Sequence, residues 1–175
     1  MTIDTIANTI TAVIAVLAAI VAIKQLKEAK DARTVTIYNE INSIYNSDAT
    51  KSSLRHLHNL EQKYSDDKSD ELLGTHVDGF LQEQRKVPES SYTETIYYLT
   101  FLEYIGVIVR KKLVDKSIIF DFMEGTILVA DRCLREHMKR LIKEENDNAL
   151  FANARWLMDT LKEDLKSDKI IFRYT

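Results

Sequence analysis

The sequence predicts an all-α protein in which a long N-terminal helix crosses a membrane and continues into a cytoplasmic helical bundle. Three observations support this fold class. Residues 5–23 form a run of nineteen without a charge. The 175 residues include one proline and four glycines, so few residues interrupt helices. Apolar residues after the run recur every three or four positions, the period of an amphipathic helix.

The uncharged run has the length of a membrane span. As a helix it measures roughly 28 Å, close to the roughly 30 Å hydrocarbon core of a bilayer. A cleaved signal peptide is not favoured, because no positive charge precedes the run. Basic residues cluster directly after it: Lys24, Lys27, Lys30 and Arg33. The positive-inside rule then places the N-terminus outside, residues 1–33 as span and stalk, and residues 34–175 as a cytoplasmic domain.

One side of the predicted span carries small and polar residues at alternating steps of four and three. This seam comprises Asp4, Asn8, Thr11, Ala15, Ala18, Ala22 and Gln25, and it extends to Ala29 and Ala32. Bulky residues such as Ile10 and Val13 lie opposite and suit lipid. Small seams let transmembrane helices approach closely, so another copy of this chain is the simplest partner. Two interpretations stay open: a homo-oligomeric anchor, or a ring of helices whose seam lines an aqueous pore.

The first helix is predicted to run from the membrane to about Asn46, since no breaker interrupts it. Ser47-Asp48 is a good N-cap and indicates a second helix over about 49–64. A polar loop follows. A short helix carrying apolar residues between 72 and 81 comes next and ends before Pro88, which lacks a backbone donor.

Ser90-Ser91 is expected to cap a helix over about 92–112. Apolar residues at three- and four-residue steps give this helix a buried face: Ile96, Leu99, Leu102, Ile105 and Val109. Glu103 lies near that face, beside Gly106. It is expected to be either a carboxylate at the rim of the face or a buried partner for an arginine.

Two further helices complete the predicted bundle. Lys116-Ser117 opens the first, which extends to about Lys143. Asn146-Asp147 is interpreted as the N-cap of the second, which extends to about Lys166. The apolar residues 170–172 suggest a short docking tail. The prediction is therefore a bundle of four or five helices on a membrane stalk.

The one candidate chemical motif is Arg132 followed by His137. In metal-free RNA cleavage a histidine transfers protons and an arginine stabilises the phosphorane charge. On a straight helix, however, the two side chains lie about 140° apart. They could share a phosphate only if the helix bends or two copies face each other. The alternative is a solvated face with intrahelical pairs such as Arg132–Glu136 and Asp131–Arg135.

Charge and composition leave RNA binding open. The formal net charge is −3, so no global field attracts RNA. A local basic stripe does occur, diluted by nearby glutamates: Arg132, Arg135, Lys139, Arg140 and Lys143. The single Cys133 cannot form an internal disulfide. Neither zinc-ligand spacing nor a Gly-rich phosphate loop is present, so no cofactor or metal is expected.

The combination of one N-terminal span, a small helical bundle and a late Arg132-x-x-x-x-His137 resembles the small membrane-anchored HEPN-like accessory proteins of type VI-B CRISPR loci. The stretch from Phe101 to Lys112 is also similar to bacterial membrane-anchored helical domains. The resemblance implies a bacterial inner-membrane protein with a HEPN-like bundle. It also implies a homo-oligomeric pore that depolarises the membrane and enhances antiviral defence by an RNA-guided, RNA-cleaving effector.

Under this resemblance Arg132 and His137 occupy the HEPN motif positions. The residue after the arginine is usually polar in active HEPN ribonucleases, and here it is Cys133. The chain also carries only one such motif and is not basic. These three departures from active HEPN ribonucleases favour a motif kept for packing or assembly. Three hypotheses follow: a pore-forming defence accessory, which is preferred; a membrane-tethered HEPN ribonuclease with Arg132 and His137 as catalytic residues; and a membrane-anchored scaffold for a protein partner.

Overall fold

A computed structural model describes the backbone of residues 3–64, 70–87 and 90–167, and their side chains except those of residues 3–17 and 71. Six α-helices and no strand occur in these ranges, which confirms the all-α fold class. The helices are α1 (Ile3–Tyr45), α2 (Asp48–Tyr64), α3 (Asp70–Gln84), α4 (Tyr92–Arg110), α5 (Lys116–Glu145) and α6 (Ala152–Lys166). The chain divides into two compact units within α1, one ending at Glu40 and the other beginning at Ile41.

The first unit is the greater part of α1, a helix of 43 residues. Every residue from 18 to 33 is exposed, so this part of the helix is exposed on all sides. Among the residues whose side chains the structure describes, no helix is long and apolar enough to cross a membrane. The predicted span over residues 5–23 falls mainly on residues 3–17, whose side chains lie outside the described ones.

The second unit is built around α4, which packs against α6 on one side and α2 on another, while α3 packs against α5. The apolar residues predicted to form the buried face of α4 are all buried except Ile96. Tyr98, Phe101 and Ile108 are buried as well. A helix with neighbours on several sides buries more than one stripe. This is why the buried face of α4 is wider than its periodicity alone predicts.

The prediction that Asn146-Asp147 caps the last helix is wrong. Asn146 instead takes a left-handed conformation and ends α5, with its amide donating to Ile142. Asn is compatible with both roles, since it is favoured at N-caps and also tolerates the left-handed C-terminal conformation. Turns follow, and α6 begins only at Ala152.

The N-terminus of α6 is capped by a side chain of α4. Glu103 accepts hydrogen bonds from the backbone amides of Asn153 and Ala154 at 2.9 and 2.8 Å, and from the Asn153 side-chain amide at 2.6 Å. A carboxylate is favoured there because it satisfies free amides and complements the helix dipole. Glu103 is partly buried, as expected for a carboxylate at the rim of the face, whereas the expectation of an arginine partner is wrong.

Gly106 lets α4 and α6 approach closely enough for this cap to form. A Cβ atom at Gly106 would lie only 2.3 Å from the backbone oxygen of Asn153. That oxygen cannot rotate away as a side chain could. The contact therefore requires glycine at this position for steric reasons.

We expect Gly106→Ala to lower the free energy of unfolding by about 1–3 kcal/mol, the usual cost of overpacking a close contact. Gly125→Ala is the matched control, because Gly125 lies in α5 and a Cβ atom there would meet nothing within 4 Å. It should raise stability by about 0.5–1 kcal/mol through helix propensity. Urea unfolding of the full chain measures both, and equal effects of the two substitutions would contradict the assigned contact.

Candidate functional site

Arg132 and His137 both lie on α5, but they project towards different helices. The Arg132 guanidinium binds Glu61 of α2, with Nε 3.1 Å from Oε1 and a second, shorter contact through an Nη atom. Its side chain is one-third exposed. The expected intrahelical pair with Glu136 does not form, because Glu136 instead accepts from Lys139 at 2.6 Å. Arg132 therefore joins α5 to α2.

His137 is buried and faces α3. Its side chain is 0 % exposed, and Nδ1 lies 2.9 Å from Oδ1 of Asp78. The other oxygen of Asp78 accepts from Arg140, with Nε at 2.7 Å. The Tyr92 ring packs against the imidazole edge-to-face, with centroids 5.6 Å apart. Asp78, His137 and Arg140 together form a cluster, called here the Asp78 cluster, that joins α3 to α5.

Within the Asp78 cluster, the directions of the pKa shifts favour an ionised Asp78 and a neutral His137. Burial disfavours the charged carboxylate, but hydrogen bonds from Arg140 and His137 outweigh it and lower the pKa of Asp78. Burial lowers the pKa of His137, and Asp78 opposes that shift only in part. The carboxylate is an acceptor, so Nδ1 of His137 carries the proton and donates. Its Nε2 is then an acceptor with no hydrogen-bond partner among the described residues.

This arrangement does not bring the two motif residues together. His137 is enclosed by α3 and Tyr92, whereas Arg132 lies at the surface beside α2. A general acid–base histidine must come within hydrogen-bond reach of its substrate. In the single chain, the buried imidazole has no access to a phosphate held by Arg132. The geometry supports a structural role for His137.

A charged cavity of about 260 Å³ lies on the surface beside Arg132. His137 does not line it; the lining residues are Asp70, Asp131, Arg132, Arg135, Glu136, Lys139 and Lys162. Most of these charges already have partners. Asp131 is buried between Arg135 and Lys162, and Arg135 also binds Asp159 at 2.7 Å. In the basic stripe predicted along α5, Arg132, Arg135 and Arg140 pair with carboxylates of other helices, and Lys139 pairs with Glu136 of α5 itself.

The residues predicted to line a pore are placed only in part. The side chains of Asp4, Asn8, Thr11 and Ala15 lie outside the described ones. Ala18, Ala22 and Gln25 are exposed on α1.

No group of three His, Cys, Asp or Glu side chains in the described residues could hold a metal ion.

Sequence reasoning missed Asp78 and Glu61, the partners of the two motif residues. Asp78 adjoins Val77 on the buried side of α3, and an acidic residue beside an apolar stripe is a weak sign of a buried ion pair. Its partner lies 59 residues further along the chain, which no local pattern indicates. Glu61 carries no comparable sign.

Residues 9–161 match a described protein family, the domain of unknown function DUF4760. The chain belongs to the DUF4760 family. The match includes most of α1 together with Asp78, Arg132 and His137. No curated protein and no solved structure matches the chain.

The neutral state of His137 predicts that this DUF4760 protein loses stability in mild acid. Below its ordinary pKa of 6.5, the histidine of the unfolded chain takes up a proton that the folded chain excludes. Stability therefore falls as pH falls from about 6.5 towards the lower folded-state pKa, by at most about 1.4 kcal/mol per pH unit for this group. Half-buried His56, whose pKa is also lowered by burial, contributes in the same direction.

Urea unfolding of the full chain between about pH 5 and 7 measures this dependence. His137→Gln should reduce the slope of stability against pH, because one of the excluded protons is removed. His56→Gln should also reduce the slope, because burial lowers the pKa of His56 as well. An unaltered slope in His137→Gln would show that His137 is not a neutral buried group.

Cys133 is expected to be unreactive in the folded chain. The side chain is buried, and burial raises the pKa of its thiol to about 12, so the nucleophilic thiolate is scarce at neutral pH. Iodoacetamide should modify it only after unfolding in urea, as measured by mass spectrometry. The exposed position Ala49 provides the control: Ala49→Cys should add a thiol that reacts in the native state. Native modification of Cys133 would contradict its burial.

Proposed function

We propose that this chain is a single-pass protein of the bacterial inner membrane that self-associates through α1 and forms a pore. In this proposal the N-terminus is outside and residues 34–175 are cytoplasmic. The pore depolarises the membrane and enhances antiviral defence by an RNA-guided, RNA-cleaving effector. The defence role rests on the resemblance to HEPN-like accessory proteins of type VI-B CRISPR loci.

The observation that carries the proposal is the exposure of α1. Every side chain from residue 18 to residue 33 is exposed. Exposed apolar side chains include Ile20, Ile23 and Leu26, the last 71 % exposed. Most helical stability in proteins comes from packing an apolar face. A long helix of this kind therefore needs cover from lipid or from another chain.

The sequence of α1 supplies both kinds of surface. The uncharged run 5–23 suits a bilayer core, and the seam through Ala18, Ala22 and Gln25 suits close approach of a second helix. Asp4, Asn8 and Thr11 extend that seam. Polar groups of this kind are costly when they face lipid, which favours a seam that faces another helix or a water-filled centre.

The ribonuclease alternative has less support. His137 is buried against Asp78, and it does not share a surface with Arg132. RNA cleavage in this chain would require α3 and α5 to separate first. The structural interpretation instead treats Arg132 and His137 as residues that fix α5 against α2 and α3.

The test is the membrane potential of bacteria that express the chain, with and without an RNA-guided, RNA-cleaving effector and phage. The wild type should depolarise the cells. Asn8→Leu/Thr11→Leu should remove most of that depolarisation at equal membrane levels, because it replaces polar seam residues by apolar ones. A voltage-sensitive dye reports the difference.

Ile10→Leu/Val13→Leu is the matched control, since it changes two apolar residues on the opposite side of the same helix. It should depolarise as the wild type does. If the wild type inserts in the membrane without changing the potential, the pore is excluded and the anchor or scaffold hypothesis replaces it. If purified wild type cleaves RNA and His137→Ala does not, the ribonuclease hypothesis becomes the better one.

A further inference from the structure

The exposed part of α1 has a basic face. Lys27, Lys30 and Arg33 are spaced three residues apart, so successive side chains step about 60° around the helix. All three are exposed. None of them forms an ion pair with a residue that the structure describes. Their charges are therefore available to a partner outside the chain.

One acidic residue of the same segment lies away from the basic face and the other lies at its edge. Glu28 pairs with Lys24, at 3.9 Å, and projects about 160° from Lys30, the centre of the basic face. Asp31 projects about 100° from Lys30 but only about 40° from Lys27. The basic face thus carries three cations with one carboxylate at its edge. A uniformly mixed surface would not attract an anion, whereas this one presents a net positive side.

Apolar side chains continue the basic face towards the N-terminus. Ile20 precedes Lys27 by seven residues and Ile23 precedes Lys30 by seven, so each pair differs by only about 20° around the helix and about 10 Å along it. Ile20 is 58 % and Ile23 67 % exposed. One side of α1 therefore changes from apolar to cationic over about two turns, which is the polarity profile of a phospholipid with an anionic headgroup.

We infer that Lys27, Lys30 and Arg33 bind the headgroups of anionic phospholipids, while Ile20 and Ile23 contact their acyl chains. The inference rests on the proposed membrane insertion of α1 and adds a lipid requirement to it. The small seam through Ala22, Gln25 and Ala29 is centred about 110° from the basic face. Lipid binding and helix–helix contact would thus use neighbouring sides of the same helix, with Arg33 about 40° from Ala29.

The size of the effect follows from charge. Each Lys or Arg close to an anionic membrane surface contributes roughly a fivefold preference for it. Neutralising two of the three cations should therefore reduce the preference for anionic lipid by roughly 25-fold. The attraction should also weaken as salt screens it.

The experiment measures which lipids remain bound to the full chain. The protein is solubilised in detergent from vesicles that contain phosphatidylglycerol and phosphatidylcholine in equal amounts, and co-purifying lipids are counted by mass spectrometry. The wild type should retain phosphatidylglycerol preferentially. Lys27→Gln/Lys30→Gln should lower that preference by roughly 25-fold. Because the chain is in detergent, its orientation in a membrane does not affect the count.

Lys51→Gln/Arg55→Gln is the matched control, since it removes two exposed cations of α2 and changes net charge equally. It should keep the preference of the wild type, and so should the wild type in excess inorganic phosphate. Equal loss in the control would show a net-charge effect, and displacement by phosphate would show a simple anion site; either result overturns the inference.

Resistance to alkaline carbonate separates this inference from the proposed function. If carbonate extracts the wild-type chain from membranes, α1 does not span and both proposals fail. If the chain resists extraction but retains both lipids equally, membrane insertion stands and only the lipid site is excluded.

Discussion

Burial of one carboxylate, Asp78, is the constraint on which the packing of α3 against α5 depends. A buried charge must be paired and hydrogen-bonded, or it strongly destabilises the fold. Asp78 meets this requirement through His137 and Arg140, which approach its two oxygens from α5. The register of the two helices is thereby restricted, because a shift of one residue would leave an uncompensated charge. Removal of either partner would likewise cost more than the bond itself.

This constraint changes how the Arg132 and His137 motif on α5 is interpreted. An arginine and a histidine at this spacing have the chemistry of RNA cleavage, yet each is already committed to a carboxylate of a neighbouring helix. Arg132 holds α2 through Glu61, and His137 holds α3 through Asp78. The same residue types can thus stabilise a helical unit instead of cleaving RNA. In α1, by contrast, every side chain from residue 18 to residue 33 is exposed.

Much of the fold could be predicted from the sequence because helix boundaries depend on local chemistry. The predicted ends of α2, α4 and α5 lie within about two residues of the observed ones, although the Ser91 side chain does not cap α4 and Asp115 caps α5 in place of Ser117. The start of α6 could not be predicted, since its cap is Glu103, 50 residues earlier in the chain. The partners of Arg132 and His137 could not be predicted for the same reason. Pairings between helices depend on tertiary packing, and a single sequence carries no periodic signal for them.

The cap that Glu103 provides has a consequence for the dynamics of the chain. In most helices the first amides are satisfied by a residue adjacent in sequence, so their protection forms with the helix itself. The amides of Asn153 and Ala154 donate to a different helix. Their exchange with solvent deuterons therefore reports the undocking of α4 from α6 and not the fraying of α6. Hydrogen exchange at these two backbone amides therefore measures how often α4 and α6 separate.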